Sequence, residues 1–146
     1  MKKIKIKIRK PNDFHHHLRD KDILPFTTHH CFKNFKNVII MPNLVPPITT
    51  IKQANEYRNR ILINDKYNGN PMMTLYLNKN LNIDELRSIK KEPNIFGIKY
   101  YPKNATTNSD YGVEKIESIF HIIKIMEEED IPLLIHGESI KFNIDI

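Results

Sequence analysis

Residues 13–20 read Asp-Phe-His-His-His-Leu-Arg-Asp. Side chains on an extended strand alternate between its faces, so this spacing predicts that His15, His17 and Arg19 share one side. Two neutral imidazoles two residues apart on a strand can ligate one metal ion, with zinc the commonest candidate. An arginine one step further can hold a carboxylate in a bidentate fork. The same letters also fit a tag-like histidine run or a solvated surface strand, so the passage needs support from elsewhere in the chain.

Lys99 is the second unusual group, because it sits between Ile98 and Tyr100 in an apolar stretch. A charged ammonium is costly to bury there. One reading is a lysine on a partly exposed strand face; the other is a lysine of depressed pKa, a state that favours covalent chemistry. A neutral amine can capture carbon dioxide as a carbamate, whose two oxygens can bridge two cations.

These groups must be positioned by a chain of 146 residues, long enough for one domain with a core. Hydrophobic and charged contents of 40% and 27% suit a globular protein. No apolar run approaches the roughly 20 residues of a membrane-spanning helix, and no apolar stretch follows the basic start as in a secretory signal. The expectation is therefore no membrane partner. The single cysteine, Cys31, fits a reducing compartment, and the cytoplasm is expected.

The net charge of +6 raises nucleic acid as a partner. Much of the excess lies in Lys2, Lys3, Lys5, Lys7, Arg9 and Lys10, alternating with Ile4, Ile6 and Ile8. That pattern predicts a strand with one buried and one solvated face. No nucleic-acid-binding signature accompanies it, so nucleic acid is not expected as a partner.

Along the chain, strand and helix signals alternate without a linker. Residues 37–41 read as a short buried strand, and the following Pro42, Pro46 and Pro47 force a loop around Asn43. Thr50 and Gln53 form a capping-box pattern ahead of Ile51, Ala54, Tyr57, Ile61 and Leu62 at helical spacing. Residues 72–77 give another strand. Asn82 is expected to cap a helix with Glu85 in the reciprocal position and Ile83, Leu86 and Ile89 inward. Residues 95–101 form the next strand, followed by a polar loop over 103–109. Val113, Ile116, Ile119, Phe120, Ile123 and Met126 mark the clearest helix, ending in acidic residues 127–130. Residues 132–135 form a last buried strand that delivers His136. Apolar strands alternating with amphipathic helices indicate a parallel α/β architecture, in which ligands bind at the carboxyl ends of strands. His15, His17, Asn43, Lys99 and His136 all fall at or just past such ends.

Four passages in order carry a family resemblance: His15-His16-His17-Leu18-Arg19-Asp20; Met41-Pro42-Asn43-Leu44; Lys99-Tyr100-Tyr101-Pro102 with Lys103-Asn104-Ala105-Thr106-Thr107-Asn108; and Leu134-Ile135-His136-Gly137-Glu138. Together they resemble the successive motifs of the dihydroorotases, of the single-function bacterial type within the amidohydrolase superfamily. The resemblance runs from about Ile4 to the last residue. It implies a zinc-dependent enzyme that reversibly cyclises N-carbamoyl-L-aspartate to dihydroorotate in pyrimidine synthesis. It makes His15 and His17 ligands of one zinc, His136 a ligand of a second, and a carbamylated Lys99 the bridge between the two. Arg19 and Asn43 would bind the substrate carboxylate, and Thr106 and Thr107 would lie on a loop closing over it. A homodimer is the implied assembly.

The sequence also departs from that pattern. His16 stands where an apolar residue is usual, and is read as packed or hydrogen-bonded. A complete (β/α)8 barrel takes about 250 residues. Residues 1–146 are therefore read as one incomplete barrel domain with about five strands, ending after the fifth. The family's later zinc histidine and its catalytic aspartate have no counterpart, so no general base is assigned and the isolated chain is expected to be inactive. Two other readings stay open: a related cyclic amidohydrolase of dihydropyrimidinase or allantoinase type, and a non-catalytic remnant that binds metal or a partner. His29, His30 and Cys31 lack a fourth ligand for structural zinc and are read as a loop or helix end. His121 is read as partly buried or solvated, and Tyr100 and Tyr101 as barrel packing or substrate contacts.

Overall fold

Five strands run parallel and pair in sequence order, β1-β2-β3-β4-β5. The structure is a computed structural model, and it describes residues 4–138. The strands are β1 (Asp13–His16), β2 (Asn37–Ile40), β3 (Asn70–Tyr76), β4 (Ile95–Tyr100) and β5 (Leu133–Ile135). Between them lie α1 (Leu24–Asn34), α2 (Ile51–Asn64), α3 (Ile83–Ser88) and α4 (Phe120–Glu128). Each parallel pair needs a crossover, and the helices supply it while covering one face of the sheet. The sheet is the consecutive (β/α) succession expected from the sequence.

The core forms where helix stripes meet strands. Ala54, Tyr57 and Ile61 of α2 are fully buried, as their spacing predicts, along with Leu18, Phe32, Val38, Leu75 and Ile98. Thr50 and Gln53 close the capping box at the start of α2. Gly97 lets β5 approach β4: a Cβ there would stand 2.5 Å from the Pro132 carbonyl oxygen, which accepts the Ile98 amide at 3.0 Å.

Several expectations need correction. Residues 4–12 do not form a strand, and Ile4, Ile6 and Ile8 are 87%, 79% and 77% exposed. Alternation supplies a strand's faces but not its ladder, and among the described residues no strand pairs with this segment. Helix α1, not foreseen as a unit, carries His29, His30 and Cys31. Glu85 does not complete a capping box. Its carboxylate accepts the Ile51 amide of α2, while Asn82 alone caps α3. Ile83 points outward, although Leu86 and Ile89 are buried.

The long helix expected from Val113 starts later. Val113 is drawn into a bridge with Pro102, a 3-10 turn covers Ile116–Ile119, and α4 begins at Phe120. Ile119, Ile122 and Met126 are buried, but Ile116 and Phe120 are exposed. Strand β5 is not buried either: it lies at the sheet edge and Ile135 is 63% exposed. His121 is exposed. Among the described residues no helix is long and apolar enough to cross a membrane.

Cys31 gives a direct test of this core. Its thiol is buried and pushed up to about 12, first by burial and then by the charges of Asp13 and Asp65. The reactive thiolate is thereby suppressed about a thousandfold relative to an ordinary cysteine. Alkylation by iodoacetamide at pH 8 is expected to be at least about 100-fold slower in the native protein than in guanidinium, read by mass spectrometry.

Candidate functional site

The carboxyl ends of the five strands place the sequence's chemical groups on one rim. Strand β1 stops at His16, so His15 lies on the strand while His17 and Arg19 lie beyond it. The single-strand geometry expected for all three therefore holds only for His15, and the turn after β1 aims the others. The His15 and His17 rings are nonetheless neighbours, with centroids 5.2 Å apart. His16 faces Asp13, its Nδ1 2.8 Å from the carboxylate, which is the hydrogen-bonded role expected for it. Burial would raise the Asp13 carboxyl, but bonds from the His15 amide and the His16 ring hold it below its ordinary value.

Both rim imidazoles favour the neutral form. Burial first, then the Arg19 and His15 charges, bring His17 down to about 4. His15 is lowered by burial, then by the charges of Lys99 and His136. Neutral imidazole is the metal-binding form.

Lys99 is 2% exposed on β4, in register with Tyr76 of β3 and Leu134 of β5. Its Nζ lies 5.4 Å from the centre of the Tyr101 ring. Burial lowers its pKa, favouring the neutral amine. Tyr101 stacks on Tyr76 at 5.0 Å and faces the His136 ring at 5.8 Å. Tyr101 thus neighbours both Lys99 and His136 and packs the rim. Its hydroxyl is buried without a partner, and burial raises its pKa. His136 follows β5, with Nε2 3.1 Å from Glu138. Among the described residues no three His, Cys, Asp or Glu side chains form a cation cluster. The groups gathered on this rim are imidazoles and a buried amine, each of which offers a lone pair in its neutral form.

Arg19 is half-buried, and its Nη1 is buried without a hydrogen-bond partner. Such a donor favours an anionic acceptor, since leaving it unmade costs about 1–3 kcal/mol or more. Asn43 is buried and already engaged: its Nδ2 donates to the Thr107 carbonyl at 2.8 Å. In return, Asn108 Nδ2 donates to the Asn43 carbonyl at 3.0 Å. The loop carrying Thr106 and Thr107 is folded around the buried Ser109, whose hydroxyl donates to the Thr106 carbonyl at 2.6 Å and accepts the Thr106 amide at 3.0 Å. Asn104 and Asn108 take left-handed conformations, φ 61 and 56, which asparagine tolerates better than most residues. Sequence reading missed Asn108 as the loop's tie. A polar residue in a polar loop carries no sign of a partner 65 positions away.

Five parallel strands with helices between them form the amino-terminal part of a (β/α) barrel of the kind seen in dihydroorotase structures. The chain is dihydroorotase-like over almost all its length. It is 44% identical over 144 residues to the dihydroorotase of Acaryochloris marina, covering 97% of this chain and 42% of the relative. For the dihydroorotases of Pseudomonas putida and Synechocystis, identity is 42% and 43%, covering 97% of this chain and 41% and 42% of theirs. The crystal structure of dihydroorotase from Campylobacter jejuni superposes with a TM-score of 0.83 at 40% identity, over 91% of this chain and 39% of that one. The Saccharomyces cerevisiae dihydroorotase, in complex with 5-fluoroorotic acid, gives 0.83 at 31% identity, over 93% and 38%. The chain thus spans about two fifths of the length of the curated relatives it matches. No protein-family model matches it.

The tie between Asn43 and the loop can be tested directly. Asn108→Ala removes one arm and is expected to speed amide exchange across residues 104–109 by about fivefold, the effect of losing roughly 1 kcal/mol of local stability. Exchange in β2 and β3 should be unchanged in the same mass-spectrometric experiment.

Proposed function

We propose that this chain provides the first part of a dihydroorotase site, for the reversible cyclisation of N-carbamoyl-L-aspartate to dihydroorotate. The observation that carries this reading is the buried Lys99 on the same rim as His15, His17 and His136, with the unpartnered Arg19 donor beside them. Similarity to dihydroorotases over 97% of the chain supports it. On this reading His15 and His17 would hold one zinc and His136 a second, and Lys99, once converted by carbon dioxide to its carbamate, would serve as a ligand to both. The donor set fits: two imidazoles favour the neutral form, and burial lowers the proton affinity of the amine. Bound zinc would lower the pKa of water towards about 7 and polarise a carbonyl.

The remaining roles belong to the chain's own groups. Arg19 binds the substrate carboxylate through its free Nη1, and Asn43 joins it by exchanging its bond to the Thr107 carbonyl for one to the ligand. Thr106 and Thr107 cover the substrate and exclude water from the rim. Tyr101 packs beside both Lys99 and His136 on the rim. The working assembly is a homodimer, as the resemblance to dihydroorotases implies. The buried, unpaired Cys31 supports a reducing, cytoplasmic setting.

Two substitutions in the full-length protein test the assignment. Lys99→Ala is expected to lose zinc, read by atomic absorption, and activity with it, with partial rescue of both by a short carboxylic acid. Unchanged zinc content would rule out the bridge. Arg19→Met is expected to keep zinc and raise KM tenfold to a hundredfold, the effect of a lost charged hydrogen bond worth about 1.5–3 kcal/mol. Zinc loss with an unchanged KM would reverse the roles.

A further inference from the structure

The turn that carries Arg19 has an unusual backbone. Arg19 and Lys21 are both left-handed, φ 61 and 58, around an extended Asp20 at φ −146. Left-handed backbone is strained for residues with a Cβ and persists where surrounding groups impose it. Here the imposing groups come from the helices. Thr27 of α1 donates its hydroxyl to the Leu18 carbonyl at 2.6 Å. The Tyr57 hydroxyl of α2 donates to the carbonyl of Arg19 itself. Arg60, one turn further along α2, grips the Asp20 carboxylate with Nε at 3.2 Å and Nη2 at 2.8 Å. Its guanidinium also lies 5.4 Å from the centre of the Tyr57 ring, so the two helix residues act as one unit.

Packing alone does not hold this turn. A cavity of about 350 Å³ opens beside it, bordered by Arg19, Asp20, Leu44, Pro46, Gln53 and Arg60. A segment next to such a space is fixed on that side only by its directed bonds. Tyr57 is fully buried and burial raises its pKa, so its hydroxyl remains a donor across the physiological range. The side chain carried by this clamped turn keeps one donor, the Arg19 Nη1, buried and without a partner.

We infer that Tyr57, assisted by Arg60 through Asp20, is a positioning residue: it holds the backbone of Arg19 so that the guanidinium is aimed, before binding, at the ligand's carboxylate. This rests on the carboxylate-binding reading of Arg19 given above. A preset guanidinium avoids the ordering cost of recruiting a flexible arginine on binding.

The test is a double-mutant cycle in the zinc-loaded full-length protein, with L-dihydroorotate as the substrate. Tyr57→Phe keeps the buried ring and removes only the donor. It is expected to raise KM about 3- to 10-fold, with kcat within about twofold and zinc content unchanged. In an Arg19→Met background the same substitution should raise KM no further, because its target is gone. Arg60→Met, at an exposed position on α2, should repeat the pattern with a smaller rise of about 2- to 5-fold, and it carries the test if Tyr57→Phe does not fold. An unchanged KM in the single variants would overturn the inference and leave the role of Arg19 standing. So would an equal rise in the Arg19→Met background, which would mark a general structural effect. An unchanged KM in Arg19→Met alone would overturn the carboxylate reading, and this inference with it.

Discussion

Parallel pairing in sequence order is the constraint on which the rest of the molecule depends. When every strand points the same way, every strand's carboxyl end opens on the same rim, and the segments after β1, β2, β4 and β5 must meet there. His15 and His17, Asn43, the loop after Lys99, and His136 are far apart in the chain but reach one place for that reason alone. The ladder also fixes depth: Lys99 is level with Tyr76 on one side and Leu134 on the other, so its side chain is surrounded before any ligand arrives.

That burial sets the site's electrostatics. Lys99 is lowered by loss of solvent, and His17 by loss of solvent and then by Arg19 and His15. Basic groups gathered on a low-dielectric rim favour one another's neutral forms. The result is a cluster of lone pairs with two unpartnered groups in its vicinity, the Arg19 Nη1 and the Tyr101 hydroxyl. Such a cluster is poor packing material and has the electronic character suited to cations and a carboxylate.

Two kinds of contact hold the irregular parts of the rim. The loop of residues 103–109 is folded on its own Ser109 and tied to Asn43 by exchanged amide bonds. The turn after β1 is tied outward, to Thr27 on α1 and to Tyr57 and Arg60 on α2. The outer helices thereby do more than cover the sheet, because α2 reaches the backbone of a residue on the rim. A buried tyrosine that looks like core in the helical pattern also has a polar end, and that end donates to the Arg19 carbonyl in the turn.

The sequence by itself determined the alternation of strands and helices, the capping box at Thr50, the buried stripe of Ala54, Tyr57 and Ile61, and which residues could do chemistry. These are local matters, set by side-chain periodicity, hydrogen-bonding groups three residues apart and the restrictions of proline. Tertiary structure decided the rest. Residues 4–10 have a strand's alternation but no ladder partner among the described residues. Glu85 left its own helix end for the amide of Ile51, and Val113 left its helix for a bridge to Pro102. The clamp from Tyr57 to Arg19 spans 38 positions and the exchange between Asn43 and Asn108 spans 65. Backbone donors and acceptors are satisfied by whichever partner the fold brings near, and local pattern carries no information about partners that distant.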